Sequence, residues 1–173
     1  MPFGMLIQND KFYVATNDAL MEFPYTAGAT SIKDQGKKIA SLPGGPRHWA
    51  RNVIASKNGE KFYISIGAAS NAAENGMDKE VRRANILEVN KDGSGEKIYA
   101  SGLRNPVGMD WAPGSNVLWT AVNERDELGD DMPVDYLTSV QEGGFYGWPY
   151  AYWGQNEDPR LKGQKPDLVQ KSI

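Results

Sequence analysis

A repeat of about 50 residues is the feature that most constrains the fold of this chain. Lys11-Phe12-Tyr13 recurs 50 positions later as Lys61-Phe62-Tyr63. Pro2-Phe3-Gly4-Met5 recurs about two periods later as Pro106-Val107-Gly108-Met109. A fixed period of this length is typical of arrays of small supersecondary units.

Each unit contains four short runs in a constant order. The second run of each unit alternates apolar and polar residues and follows a turn signal such as Asn58-Gly59, which is typical of β-hairpins. The third run, Ala19–Phe23, matches Asn85–Val89, and both lead to a fourth run, Lys38–Ala40 or Lys97–Ala100. Four strands in a unit of this size indicate the blade of a β-propeller. A β-sandwich needs similar strands but does not explain their repeated order.

The repeat divides the 173 residues into about three blades. These are residues 1–42, about 43–105, and an incomplete third from 106 to 173. The predicted fold is therefore all-β, a partial propeller of four-stranded antiparallel blades. Propellers close with four to eight blades, and an open arc would leave sheet faces and edges uncovered. The chain is expected to be a fragment of a larger propeller, in preference to an assembly of two arcs.

Composition excludes several classes of function. The net charge of -3, without a basic stripe, argues against a nucleic-acid partner. The absence of cysteine excludes disulfides, thiolate catalysis and zinc–cysteine sites. No run approaches the ~20 apolar residues of a membrane span. The N-terminal residues also lack the basic and apolar regions of a signal peptide, so none is expected in this chain.

Two equivalent links bring polar residues to one end of the predicted channel. The link between a fourth strand and the next first strand is Leu42–Arg51 in one case and Ser101–Pro106 in the other. The only histidine, His48, lies in the first link, and Arg104-Asn105 lies in the second. A lone histidine is usually structural, and an arginine in a turn is usually solvated. Their equivalent positions favour a base beside an anion clamp at a small-molecule site.

Two further segments are open to two interpretations. The acidic loop Asn123–Asp131 could hold calcium through oxygen ligands, although it lacks EF-hand spacing, or it could be solvated. The aromatic segment Gly143–Gly154 could stack on a sugar or a flat cofactor, or it could fill a core.

Several motifs, in the right order and at the right distances, resemble the glucose/sorbosone dehydrogenases. They are Gly102–Pro106 with the following Gly108-Met109, then Asn123–Asp126, Gly129–Asp131 and Gly143–Pro149. The L-sorbosone dehydrogenase branch is the most similar, because it shares the aromatic extension Tyr150–Gly154. The first blade fits this resemblance as well, through Val14–Leu20.

The resemblance implies a six-bladed propeller that binds pyrroloquinoline quinone (PQQ) and calcium, and that oxidises a sugar with the help of an electron acceptor. It implies that His48 takes the substrate proton and that Arg104 and Asn105 contact the quinone. It also implies a quinone-site role for Arg51 and calcium binding near Asn123 and Glu124, largely through main-chain carbonyls. The resemblance also implies that the parent protein is periplasmic or secreted.

The chain departs from the family pattern in two ways. Gly-Gly-Pro-Arg precedes His48 where Gly-Gly-His is more usual, and the family's later basic quinone contacts are absent before Ile173. The polypeptide alone is therefore expected to bind quinone weakly or not at all. Two alternatives remain: a calcium-dependent lactonase on a similar propeller, and a non-catalytic module that binds carbohydrate or protein.

Overall fold

The computed structural model describes residues 1–173 and contains thirteen short strands, two 3-10 turns and one short helix. The first sheet comprises β1 (Pro2–Gln8), β2 (Lys11–Thr16), β3 (Ala19–Pro24) and β4 (Lys37–Ser41). The second comprises β5 (Val53–Ala55), β6 (Lys61–Ile66), β7 (Asn85–Asn90) and β8 (Lys97–Ser101). The third comprises β9 (Pro106–Trp111), β10 (Leu118–Val122) and β11 (Tyr136–Val140), followed by a hairpin of β12 (Ala151–Tyr152) and β13 (Asn156–Glu157). The 3-10 turns are Met77–Glu80 and Pro159–Leu161, and the helix α1 is Pro166–Gln170.

Each of the three sheets is an antiparallel meander in chain order. The orders are β1-β2-β3-β4, β5-β6-β7-β8 and β9-β10-β11. The prediction of an all-β partial propeller with four-stranded antiparallel blades is confirmed, and the third sheet has three strands. None of the helical segments has the length and apolar character that crossing a bilayer requires.

The core lies between the blades, because the middle strands of the first two blades bury residues on both of their faces. One cluster joins the first blade to the second, with Tyr13 and Leu20 packed near Phe62 and Ile64. The rings of Tyr13 and Phe62 lie 4.6 Å apart. A second cluster joins the second blade to the third, and includes Ile86, Leu118 and Val140. Burial of such side chains contributes roughly 1.5–3 kcal/mol each, which explains the two-sided apolar pattern.

The first strands of successive blades contact one another and form the inner side of the arc. The Gly4 amide donates to the carbonyl of Arg51 at 2.8 Å, and the Asn52 side-chain amide donates to the carbonyl of Val107 at 3.2 Å. A Cβ at position 4 would lie 2.5 Å from the Arg51 carbonyl oxygen, so only glycine fits there. The links before β5 and β9 therefore open at the same end of this inner channel.

Most of the aromatic segment Gly143–Gly154 serves the core. Tyr146, Trp148 and Tyr150 are buried. The Tyr146 hydroxyl donates to the Ser139 carbonyl at 2.7 Å, which ties the segment to β11. Trp153 differs, because its indole remains partly exposed.

Candidate active site

The two links lie side by side around the turn that follows β6. The Ala68 amide donates to the carbonyl of Arg104 at 2.7 Å. A Cβ at Gly67 would lie 2.5 Å from the Cβ of His48 and closer still to Oδ1 of Asn105. His48 and Asn105 therefore flank the same glycine, and the structure brings together the residues of the two equivalent links.

His48 is held in one tautomer by a backbone carbonyl. Its Nδ1 lies 2.7 Å from the carbonyl oxygen of Ala68. Since a carbonyl oxygen can only accept, the hydrogen bond places the proton on Nδ1 and leaves the lone pair on Nε2. Burial lowers the pKa of His48 below 6.5, and the positive charges of Arg104, Arg47 and Arg83 lower it further. At neutral pH the imidazole is uncharged and able to accept a proton.

Arg51 fixes the backbone that carries His48. Its guanidinium is fully buried and donates to the carbonyls of His48, Ala50 at 2.9 Å and Pro43 at 2.8 Å. His48 has a left-handed backbone with φ of 42°, which costs on the order of 1 kcal/mol and needs such support. Burial lowers the pKa of Arg51 to about 10, so it stays charged at neutral pH. A quinone contact by Arg51 stays a prediction; the geometry gives it a positioning role.

Arg104 joins its own link to two other loops through its guanidinium. Nε donates to the Asn71 carbonyl at 2.9 Å, and Nη2 donates to Oδ1 of the same residue at 2.8 Å. Nη1 donates to the carbonyls of Glu124 at 2.7 Å and Asn123 at 3.3 Å. Arg104 is 4% exposed, and one Nη2 hydrogen has only Asp126 nearby, with a carboxylate oxygen at 3.5 Å. The clamp predicted for a ligand is thus largely occupied by the protein's own oxygens.

Asn105 connects the His48 side of the site to the loop after β10. Its Nδ2 donates to Oδ1 of Asn123 at 3.4 Å, and its Oδ1 is buried without a hydrogen-bond partner. Asn123 donates in turn from Nδ2 to Asp135 at 2.6 Å. A buried acceptor without a donor costs about 1–3 kcal/mol, so Asn105 Oδ1 is a candidate ligand contact.

Glu124 carries another buried oxygen without a hydrogen-bond partner. Its Oε2 accepts the Arg125 amide at 3.0 Å, while its Oε1 is buried and unpaired. Burial raises the pKa of Glu124 to about 7. This oxygen and Asn105 Oδ1 fit the oxygen-donor chemistry that calcium prefers. The structure contains no group of three or more histidine, cysteine or carboxylate side chains suited to a metal ion, so carbonyl and amide oxygens would supply the remaining ligands.

The rest of the acidic loop is open to solvent. Asp126, Glu127, Asp130 and Asp131 are all exposed. Of the two interpretations open from the sequence, the solvated one fits these four side chains.

Asn71 is the residue that sequence reasoning missed. Besides accepting from Arg104, its carbonyl accepts the Trp148 indole N–H at 3.0 Å. Its Oδ1 also accepts the Asp126 amide at 2.9 Å. Asn71 lies 33 residues from Arg104 and 55 from Asp126, and the only sequence signal for it was the unusual length of the loop after β6.

Comparison with known proteins finds relatives that are sugar dehydrogenases. It is 38% identical over 80 residues to an aldose sugar dehydrogenase of Escherichia coli, covering 44% of this chain and 20% of the relative. It is 24% identical over 159 residues to quinoprotein glucose dehydrogenase B of Acinetobacter calcoaceticus, covering 75% of this chain and 32% of the relative. The chain therefore spans less than half the length of these curated relatives.

The fold agrees with a solved structure. The holo form of the pyranose dehydrogenase PQQ domain from Coprinopsis cinerea superposes with a TM-score of 0.76 and 16% identity, covering 98% of this chain and 52% of that domain. At this identity the likeness concerns the fold alone. Residues 15–170, however, match the sequence model of the glucose/sorbosone dehydrogenase family, and the chain belongs to this family.

Proposed function

We propose that this chain supplies part of the active site of a quinone-dependent sugar dehydrogenase, with His48 as the base that takes the substrate proton. The observation that carries the proposal is the hydrogen bond from His48 Nδ1 to the Ala68 carbonyl at 2.7 Å. It leaves Nε2 as a proton acceptor on a side chain whose pKa is lowered by burial. A general base that is uncharged at the working pH meets the requirement for proton abstraction from a hydroxyl.

Asn105 and Arg104 form the cofactor side of the proposed site. PQQ, when bound, supplies the two-electron acceptor, and calcium beside it increases the electrophilicity of the quinone. The unpaired Oδ1 of Asn105 and the Cβ of His48 flank the same glycine, which supports the proposal that the quinone lies near both residues. Arg104 contributes to this side indirectly. Its charged guanidinium is hydrogen-bonded to the Asn71 and Glu124 carbonyls and so positions the loops around the site.

The calcium ligands are proposed in the loop after β10. The Asn123 and Glu124 carbonyls already converge on one cation, the Arg104 guanidinium, at 3.3 and 2.7 Å. The unpaired Glu124 Oε1 adds a carboxylate oxygen to this loop. Carbonyl and carboxylate oxygens are the ligands that a hard metal ion such as calcium prefers. The substrate is proposed to be an aldose or a sorbosone-type sugar, with a separate electron acceptor and a periplasmic or secreted location.

Reconstitution of a version of the protein that carries all the blades of the propeller, with PQQ and calcium, tests the proposal. Aldose-dependent dye reduction should require both additions and should fall by roughly 100-fold or more in His48→Ala, the loss typical of a missing general base. The matched control is Arg47→Ala, the neighbour of His48, whose side chain is 61% exposed and should be dispensable. Dye reduction that His48→Ala leaves unchanged would exclude His48 as the base.

The same assay separates the alternatives. A lactonase would hydrolyse lactones with calcium and without quinone. A non-catalytic module would bind sugar without dye reduction at quinone concentrations that saturate the protein.

A further inference from the structure

The turn after β6, residues 67–70, carries the carbonyl that binds His48. The Ala68 carbonyl oxygen lies 2.7 Å from Nδ1 of His48. Ala68 is fully buried, and its amide donates to the Arg104 carbonyl at 2.7 Å. The orientation of this peptide segment therefore determines whether the imidazole proton stays on Nδ1.

The N–H of the same peptide group is bound by a carboxylate. The peptide bond between residues 68 and 69 joins the Ala68 carbonyl and the Ala69 amide in one planar unit. The Ala69 amide donates to Oε2 of Glu80 at 2.7 Å. One peptide group thus accepts from His48 at one side and donates to Glu80 at the other. Both hydrogen bonds are at the short end of the usual range for N–H···O contacts.

Glu80 lies at the end of the 3-10 turn Met77–Glu80 and is 5% exposed. Its other carboxylate oxygen, Oε1, accepts the Ser70 hydroxyl. The ion pairs of the structure do not include Glu80. A buried carboxylate without an ion pair is costly, and a neutral side chain could accept the same two hydrogen bonds. The negative charge at this position therefore points to a role beyond holding the loop.

The surroundings of His48 give the charge of Glu80 such a role. Burial lowers the pKa of His48, and three nearby arginines lower it further. One of them, Arg83, also contacts the turn, since its Nη1 donates to the Gly67 carbonyl at 3.2 Å. A carboxylate that accepts a peptide N–H polarises the peptide group and strengthens its carbonyl as an acceptor. Glu80 therefore acts on His48 in the opposite direction to the arginines.

We propose that Glu80 is a positioning residue for the base His48 and acts through the peptide group between residues 68 and 69. Its carboxylate fixes the orientation of this group, so that the Ala68 carbonyl faces Nδ1. It also polarises the group, which strengthens the hydrogen bond from Nδ1–H and makes Nε2 a better proton acceptor. The arrangement corresponds to a carboxylate that orients a catalytic histidine, with a peptide group between the two. Its importance for catalysis rests on the proposed function, whereas the hydrogen bonding does not.

Kinetics separate this role from a structural one, in the version of the protein that carries all the blades, with PQQ and calcium. Glu80→Ala should lower kcat for an aldose roughly 10-fold and leave KM little changed, because the base is misplaced while the sugar contacts are kept. Glu80→Gln keeps an acceptor for the Ala69 amide and should recover most of the lost kcat. A rise in KM with kcat unchanged would overturn the proposal.

Nitrogen NMR of the same version, labelled in its histidines, tests the hydrogen bonding without activity. The signals that disappear in His48→Gln identify His48. Glu80→Ala lacks the acceptor for the Ala69 amide, so the Nδ1–H tautomer should give way to a mixture of both tautomers. Glu80→Gln should keep the tautomer and move the Nδ1 proton signal upfield, since loss of the charge weakens the hydrogen bond. If circular dichroism shows that Glu80→Ala does not fold, the shift in Glu80→Gln decides alone.

The matched control is Asp78→Asn, which removes a carboxylate from the same 3-10 turn. The Asp78 side chain is 71% exposed and pairs with the neighbouring Lys79, so this variant should leave the His48 signals unchanged. Unmoved His48 signals in Glu80→Gln, or an equal change in Asp78→Asn, would overturn the proposal even if His48→Ala is inactive. Full activity of His48→Ala, together with a changed tautomer in Glu80→Ala, would instead exclude the proposed function and leave the positioning role intact.

Discussion

His48 combines three features that bear on its proposed role as a base. Its backbone is left-handed, its Nδ1 is committed to the Ala68 carbonyl, and its surroundings lower its pKa. His48 is only partly buried, so its second ring nitrogen does not need a partner within the core. The observed arrangement prepares one nitrogen to accept a proton.

The protonation of His48 can be measured directly, because it is the only histidine. Nitrogen and carbon NMR of the imidazole should show the Nδ1–H tautomer and a pKa below 6.5, since burial and three nearby arginines disfavour the cation. An Nε2–H tautomer, or a pKa above 6.5, would contradict the proposed base.

Glu124 should make the stability of the chain depend on pH in an unusual direction. Burial raises the pKa of Glu124 to about 7, so the native state keeps this proton to higher pH than the unfolded state does. Its contribution is present below the unfolded pKa of about 4.5 and is lost as the pH rises through 7. In a chelating buffer, Glu124→Gln should gain about 2 kcal/mol in unfolding free energy relative to wild type between pH 5 and pH 8.

The control for this measurement is Glu127→Gln, which removes an exposed carboxylate of the same loop. It should change the unfolding free energy by less than about 0.5 kcal/mol at both pH values. An equal effect of the two variants would show that Glu124 titrates as a solvated group.

At the scale of the element, the site depends on loops that one arginine holds together. Arg104 bonds to the loop after β6 through Asn71, and to the loop after β10 through Asn123 and Glu124. This role of Arg104 differs from that of a free anion clamp, since most N–H donors of its guanidinium form hydrogen bonds within the protein. Arg104 would therefore affect ligand binding by fixing the positions of these two loops.

Replacement of Arg104 by lysine tests the role in loop organisation. Lysine keeps the charge but lacks the planar set of donors, so Arg104→Lys should lower the unfolding free energy by about 3 kcal/mol, through loss of charged hydrogen bonds and exposure of unpaired carbonyls. Arg47→Lys is the control, because that side chain is largely exposed and forms only one ion pair, at 3.6 Å. It should cost less than about 0.5 kcal/mol. Equal costs would show that Arg104 does not hold the loops.

The sequence predicted the elements better than it predicted the site. Strand order and pairing followed from alternation and from the 50-residue repeat, since each strand pairs with the strand next to it in the chain. The repeat also brought His48 and Asn105 to one end of the channel. It could not predict that Asn71 would receive the Arg104 guanidinium, because that contact joins irregular loops whose paths depend on the packing of two blades. For the same reason, the sequence could not predict that Asn105 and Glu124 would carry buried oxygens without hydrogen-bond partners.

At the scale of the whole molecule, the three blades form an arc that surrounds only part of the channel mouth. The repeat explains this geometry, because blades with two apolar faces must stack, and a stack of twisted sheets curves around its inner strands. The sequence led us to favour a fragment of a larger propeller over an assembly of two arcs.

The most direct test of the proposed site is a PQQ titration, in the presence of calcium, followed through the imidazole signals of His48. Even weak quinone binding should shift these signals. The variant Gly67→Ala should suppress the shift, because its new methyl group would overlap His48 and Asn105 and displace both side chains. The predicted result is a saturable shift that requires calcium and disappears in Gly67→Ala. Quinone binding that leaves the His48 signals unmoved, or that is the same in Gly67→Ala, would contradict the proposed site.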